Sequence, residues 1–241
     1  MSGDVRGLVV AVDGPSGSGK SSVCRRVAAR LGLSYLDTGA MYRAAAWWCL
    51  DQGIDLTDAA AVTAATAAMP LEMGLDPDAP TVVVGGTDVG AAIRTPAISG
   101  VVSHVATNLP ARAELGARQR AIIEAERTGG RSAGRGVVAE GRDITTVVAP
   151  DAPVRILLTA SEEARLARRA LEVHGVADAA AVAATREHVV GRDAKDSTVV
   201  EFQVAADGVV TLDSSALTFD ETVEAVLDVV RRLLEAAGAD A

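Results

Sequence analysis

Eight consecutive residues, Gly14-Pro15-Ser16-Gly17-Ser18-Gly19-Lys20-Ser21, fit the pattern G-x-x-x-x-G-K-[ST], and Ser22 follows them. The chemistry this pattern serves is the grip on a polyphosphate. Glycines at 14, 17 and 19 let the backbone turn its N–H groups inward, and the amino end of a following helix adds partial positive charge. Lys20 then reaches the β and γ phosphates, and the Ser21 hydroxyl is a ligand for Mg²⁺. Usage sharpens the reading. Of 23 basic residues only Lys20 and Lys195 are lysine, so a chain that otherwise places arginine has put a compact point charge here.

The pattern has physical meaning only between a strand and a helix, and the flanking residues predict both. Leu8 to Val12 is a short, β-branched apolar run of the kind that forms a buried parallel strand. After Ser21, apolar Cys24, Val27, Ala28 and Leu31 recur at helical spacing, and Gly32 is placed to end the helix. Further strands are expected at 33–36, 137–140, 154–158 and 209–213, alternating with helices, which is the pattern of a five-stranded parallel sheet flanked by helices. The segment 71–86, with Leu71 to Gly74, Thr81 to Val84 and a Gly85-Gly86 turn, breaks that alternation and predicts a small antiparallel insert. A helical stretch is expected over 97–126, interrupted at Pro110, and another over 178–190.

In open α/β folds ligands lie beyond the carboxyl ends of the strands, and three more polar groups fall there. Thr38 and Arg43 follow the second strand and are contacts for a second substrate, although Thr38 also suits a plain helix cap and Arg43 a solvated charge. Arg142 and Asp143 follow the third strand, where the arginine can grip a phosphate and the aspartate a base or sugar; a mutual ion pair is the simpler alternative. Ser161 caps a helix on which Arg165, Arg168 and Arg169 share one face, suited either to triphosphate or to water. The polar stretch 191–198 is expected to act as a mobile lid, and Thr218 to Glu221 to form a capping box.

Composition limits the alternatives. The 241 residues carry a net charge of −9, which argues against nucleic-acid binding over the whole surface, and 2% aromatic residues leave little to stack on bases. No apolar run approaches the roughly 20 residues of a membrane helix and no signal peptide is visible, so a cytoplasmic protein without membrane attachment is expected. Cys24 and Cys49 lack metal-ligand spacing and read as core thiols. A regulatory GTPase would need an N-K-x-D segment, which the sequence lacks. A small-metabolite kinase would share the loop but have no use for the insert.

In order along the chain, VDGPSGSGKSS, LDTGAMYRA, AAIRTPAIS, VSHVA with ARQR, VAEGRDITTVV followed by PDAPVRILL, and GRDAKDS before VVTLDSS resemble the motifs of the bacterial cytidylate kinases, within the nucleoside-monophosphate kinases. The long insert between Thr66 and Arg94 separates this family from the adenylate kinases. The resemblance implies a P-loop kinase core at 1–36 and 113–241, with a lid within about 165–200, and a nucleoside-monophosphate-binding domain at 37–112. It implies transfer of the γ-phosphoryl of ATP to CMP, with dCMP accepted; a monomer is expected, compatible with the acidic charge. It also implies roles: ATP contacts at residues 14–22 with Arg165 and Arg168; cytosine and phosphate contacts at Ser103 and Arg112; acceptor contacts at Thr38, Arg43, Arg142 and Asp143; the lid arginine Arg192 and the sugar-binding Asp196. Lys20, Arg142 and Arg192 would then carry the charge of the transferred group. Two departures stand out: Ser197-Thr198-Val199 replaces the arginines usual after the lid aspartate, and Thr145 replaces a glycine.

Overall fold

The computed structural model describes residues 6–239; positions 1–5 and 240–241, the two ends of the expected core segment, lie outside the described residues. The chain opens with β1 (Leu8–Asp13), the phosphate loop and α1 (Lys20–Leu31), followed by β2 (Ser34–Asp37) and α2 (Thr38–Asp51). The insert comprises α3 (Ala59–Ala68) and the antiparallel β3 (Leu71–Met73), β4 (Val82–Val84) and β5 (Thr87–Asp88). Short helices α4 (Pro96–Val101) and α5 (Ser103–Ala106) lead to α6 (Leu109–Thr128). Then come β6 (Gly136–Gly141), β7 (Val154–Thr159), α7 (Glu162–His174), α8 (Ala179–Arg186), α9 (Arg192–Asp196), β8 (Val210–Asp213) and α10 (Phe219–Ala239).

The expected five-stranded parallel sheet is present in the order β2-β6-β1-β7-β8. All six residues of β1 are buried, because helices cover both faces and successive side chains face opposite ways. Val9 and Ala11 join an apolar cluster with Leu36, Met41, Ile144 and the insert, against which Trp47 and Trp48 pack. Val10 and Val12 join a second cluster with Val23, Val27, Ile156, Val226 and Val230 beneath α1 and α10. The insert therefore shares its core with one face of the sheet.

Several boundaries differ from expectation, each for a local reason. The 97–126 stretch is three helices rather than one interrupted at Pro110: the break comes before Asn108, which caps α6 by accepting from Ala111 N–H, and Pro110 sits in the first turn, where its missing donor costs nothing. The 178–190 helix forms and runs on past its expected end: α8 widens into a π-helical turn at Glu187–Gly191 and continues into α9, so the expected lid stretch is helical over Arg192–Asp196. Ser161 caps α7, and the Thr218–Glu221 capping box forms, with Thr218 N–H donating to Glu221 at 2.8 Å and Glu221 N–H to the Thr218 hydroxyl at 3.3 Å.

Candidate active site

The phosphate loop is held by backbone approaches that exclude side chains. A Cβ on Gly14, at φ 149°, would lie 2.1 Å from the carbonyl oxygen of Leu158 in β7, and one on Gly17, at φ 77°, would lie 2.7 Å from that of Arg165 in α7. Glycine is therefore required by both backbone angle and space. Lys20 opens α1 and bends back so that Nζ donates to the Pro15 carbonyl at 2.9 Å. Burial, and then the nearby Arg142 charge, push its pKa down to about 8. Around the loop, Arg165 donates to the Ser16 carbonyl at 2.8 Å, and Arg168 to those of Ser18 at 3.3 Å and Ser214 at 2.6 Å. The charged face predicted on α7 is thus turned onto the loop rather than into water. Ser18 carries a buried hydroxyl without a hydrogen-bond partner among the described residues, while Ser21 and Ser22 are exposed at the start of α1.

Beside the loop, β6 pairs Glu140 with Val12 of β1. The Glu140 carboxylate accepts from the Tyr35 hydroxyl at 2.7 Å and from Ser21. Burial, and then Asp37, hold its carboxyl above the usual range. Thr38 does not cap α2: its hydroxyl donates to the Glu140 carbonyl at 2.7 Å, and Asp37 is the cap, accepting from Ala40 N–H at 2.8 Å. Asp37 also takes Arg43 at 2.9 Å and Arg94 at 3.5 Å. Burial works against its charge, but the two arginines and the Ala40 amide outweigh it and hold the carboxyl below its ordinary range. Arg43 is thus an anchored cation and not a solvated one.

The Arg142–Asp143 pair does not form, because the two side chains are claimed by different elements. Arg142 donates to the Gly14 carbonyl at 2.6 Å, to Asp193 at 2.7 Å and to Asp196 at 3.1 Å, and its guanidinium lies 4.4 Å from the centre of the Phe202 ring. Asp143 pairs instead with Arg112, which also donates to the Ala106 carbonyl at 2.8 Å and lies 5.3 Å from the Tyr42 ring centre. Arg192 Nε is 3.6 Å from Asp196; burial, and then Arg142, lower its pKa to about 10. Ser103 faces Lys195 and Thr198 across a cavity of about 290 Å³. The turn after Asp143 is fixed by Asp13 at the end of β1, which accepts from Ile144 N–H at 2.9 Å, Thr145 N–H at 2.8 Å and the Thr145 hydroxyl at 2.6 Å. The Thr145 hydroxyl thus adds a side-chain bond that a glycine could not make.

The structure brings the loop, Arg142, Arg165, Arg192, Asp193 and Asp196 into one cluster, with Arg112 and Asp143 on its flank. Sequence reasoning missed Asp13, Arg94, Asp193 and Phe202. Asp193 had a signal: it stands at i, i+3 from Asp196 beside Arg192, which puts both carboxylates on one side of a short helix. Phe202 had only its rarity, as one of two phenylalanines. Among the described residues no group of three or more His, Cys, Asp or Glu side chains could hold a metal, so a cation here would depend on the Ser21 hydroxyl, Glu140 and oxygens from elsewhere. That all-oxygen set suits Mg²⁺, which keeps waters and substrate phosphates in its shell. No helix of the described residues is long and apolar enough to cross a membrane.

A family model described as cytidylate kinase matches residues 10–232. The chain is 48% identical to the cytidylate kinase of Streptomyces avermitilis over 227 residues, 94% of each chain. It is 46% identical to that of Cutibacterium acnes over 230 residues, 92% of this chain and 96% of the other. The crystal structure of a gluconokinase from Sinorhizobium meliloti 1021 superposes with a TM-score of 0.50 and 18% identity over 98% of each chain, a likeness of fold.

Proposed function

The chain belongs to the cytidylate kinase family, and from that premise we propose how its residues divide the work of moving a phosphoryl group. The enzyme transfers the γ-phosphoryl of ATP to CMP, giving ADP and CDP. The phosphate oxygen of CMP attacks the γ phosphorus as the bond to the β,γ-bridging oxygen breaks. Phosphoryl transfer asks little covalent chemistry of the protein, so the residues align the two phosphates and absorb charge.

The observation that carries this assignment is that Arg142 joins the two halves of the site: one of its nitrogens touches the phosphate loop at Gly14 while the next residue, Asp143, anchors Arg112. Residues 14–22 hold the triphosphate, with Lys20 on the bridge to the leaving group and Arg165 and Arg168 keeping the loop in shape. Ser21, with Glu140 behind it, would hold Mg²⁺, which supplies charge neutralisation between the phosphates when bound. Arg43 and Arg142 hold the acceptor phosphate beside Thr38. Ser103, Arg112 and Asp143 read the base, and Asp196 takes the sugar. Arg192 enters from the lid and helps keep water, the competing acceptor, away.

The core is 1–36 with 113–241, the lid falls within about 165–200, and 37–112 forms the acceptor domain; α6 runs through the boundary and ties the two together. We assign dCMP as a second acceptor, a cytoplasmic location and a monomer, with neither nucleic acid nor membrane as partner. The test is an ADP-release assay across CMP, dCMP, UMP, AMP, GMP and shikimate. Turnover confined to CMP and dCMP is expected, and comparable turnover of AMP or shikimate would overturn the assignment of the base-reading residues.

A further inference from the structure

One carboxylate sits where an anion of a different kind is wanted. Asp193, in α9, is 4% exposed. Its Oδ1 accepts from the backbone N–H of Ser16 in the phosphate loop at 3.0 Å and from Arg142 at 2.7 Å, and its Oδ2 accepts from Arg165 at 2.6 Å. A loop amide flanked by two guanidinium groups is the donor set that receives a phosphate. These donors come from three separate elements, at positions 16, 142 and 165, and among the described residues the carboxylate is the single group that touches all three. Asp196, three residues on, also takes Arg142 and pairs with Arg192, and among the described residues its carboxylate makes no hydrogen bond to the loop.

We propose that Asp193 is a resident stand-in for phosphate: its carboxylate keeps the Ser16 amide, Arg142 and Arg165 in one array, and an incoming polyphosphate takes those donors by displacing it. The inference rests on the reading of residues 14–22 as the triphosphate site. It makes Asp193 a positioning residue with a measurable cost. When a protein must leave one arrangement to bind, the apparent Kd rises by the factor by which that arrangement is favoured. It also couples the lid to the loop, because the same carboxylate anchors α9; a phosphate that releases Asp193 frees the helix carrying Arg192 to move onto the substrate. The exchange is of one anion for another on fixed donors, so no bond is made or broken.

The probe is inorganic tripolyphosphate, which has neither base nor sugar, titrated calorimetrically into wild-type protein, Asp193→Asn and Asp196→Asn. Removing the Asp193 charge is expected to tighten tripolyphosphate binding by about tenfold, although a group with a purely structural role would leave binding unchanged or weaken it. Asp196→Asn removes the same charge from the same cluster without touching the Ser16 amide, and its gain is expected to stay under about threefold. Equal tightening by both variants would reduce the effect to general electrostatics and overturn the proposal, as would unchanged or weaker binding by Asp193→Asn. In wild-type protein, which needs no variant to fold, tripolyphosphate is expected to speed amide hydrogen exchange across 193–198; slower or unchanged exchange there counts against displacement. Tripolyphosphate that binds none of the three proteins would overturn the phosphate-loop reading as well, whereas binding by wild type with no gain in Asp193→Asn overturns this inference alone.

Discussion

The donor side of the site is made of backbone, and the acceptor side is made of side chains. On the donor side, Gly14 and Gly17 press against the carbonyls of Leu158 and Arg165, and the loop's shape follows from approaches no rotamer can alter. On the acceptor side, Arg112, Asp143, Arg142 and Asp196 come from three stretches of chain and meet through ion pairs. Backbone fixed in this way is rigid before any ligand arrives. Charged side chains can trade one partner for another at modest cost, which suits a region that must take up CMP and release CDP. If the contrast is right, changes on the donor side cost catalysis or folding outright, while changes on the acceptor side shift affinity for one substrate.

The largest effect is expected from Lys20→Ala. Removing the cation at the bridge should lower kcat for CMP by roughly a hundred- to a thousandfold, the scale of losing one preorganised charge donor. Steady-state kinetics with CMP varied at saturating ATP measures it, and a loss under about tenfold would remove Lys20 from its assigned role. Next in size, Gly14→Ala should cost about 2–3 kcal/mol of stability in urea denaturation, because the Leu158 carbonyl at 2.1 Å is backbone and cannot yield as a side chain would. A near-neutral result would mean that the loop is more pliant than the acceptor side and would reverse the comparison.

The same contrast explains what could be read from sequence. The loop was legible because its geometry depends on glycines at fixed local spacing, a constraint that eight adjacent residues carry whole. The five strands were legible from apolar runs between turn signals. Partner choice among the charged residues was not. Arg142 and Asp143 are neighbours, yet one turns to Gly14 and the lid and the other to Arg112, 31 positions upstream. That choice is set by where α6 and α9 pack, information no local window holds. Asp37, and not Thr38, caps α2 for a similar reason, since Glu140 offers its carbonyl to Thr38 from another strand.

Two expected effects of about tenfold probe the two sides separately. With the Lys20 pKa lowered to about 8, its ammonium is charged below that pH and lost above it, so kcat/KM for ATP should fall about tenfold per pH unit once pH exceeds about 8. Because bound phosphate favours the charged form, the fall in kcat should begin at higher pH. A flat kcat/KM profile from pH 7 to 9.5 would contradict the assignment. On the acceptor side, Asp143→Asn should raise KM for CMP about tenfold with kcat within about threefold, the signature of lost binding rather than lost transition-state contact. An equal rise in KM for ATP would show that the two sides are not separable.

The smallest effect falls where the two sides are joined. Asp13 ends the strand that leads into the loop, and it accepts three hydrogen bonds from Ile144 and Thr145, directly after the acceptor pair. Burial raises its carboxyl above the ordinary range, and the bonds from Thr145 and Ile144 pull it part of the way back. Thr145→Val keeps the side chain's shape and removes one bond, so a loss of about 1 kcal/mol is expected, with Thr145→Ser close to wild type. The sign with pH follows. The lost bond favours the ionised carboxylate, so the deficit should be full at neutral pH and narrow as pH falls through the raised pKa of Asp13. Urea denaturation of both variants at pH 7 and at about pH 3.5, below the ordinary carboxyl value of 3.8, measures this. A deficit that is the same at both pH values would mean that the hydroxyl steadies the turn without sensing the carboxylate, and the loop and the acceptor pair would then be joined by packing alone.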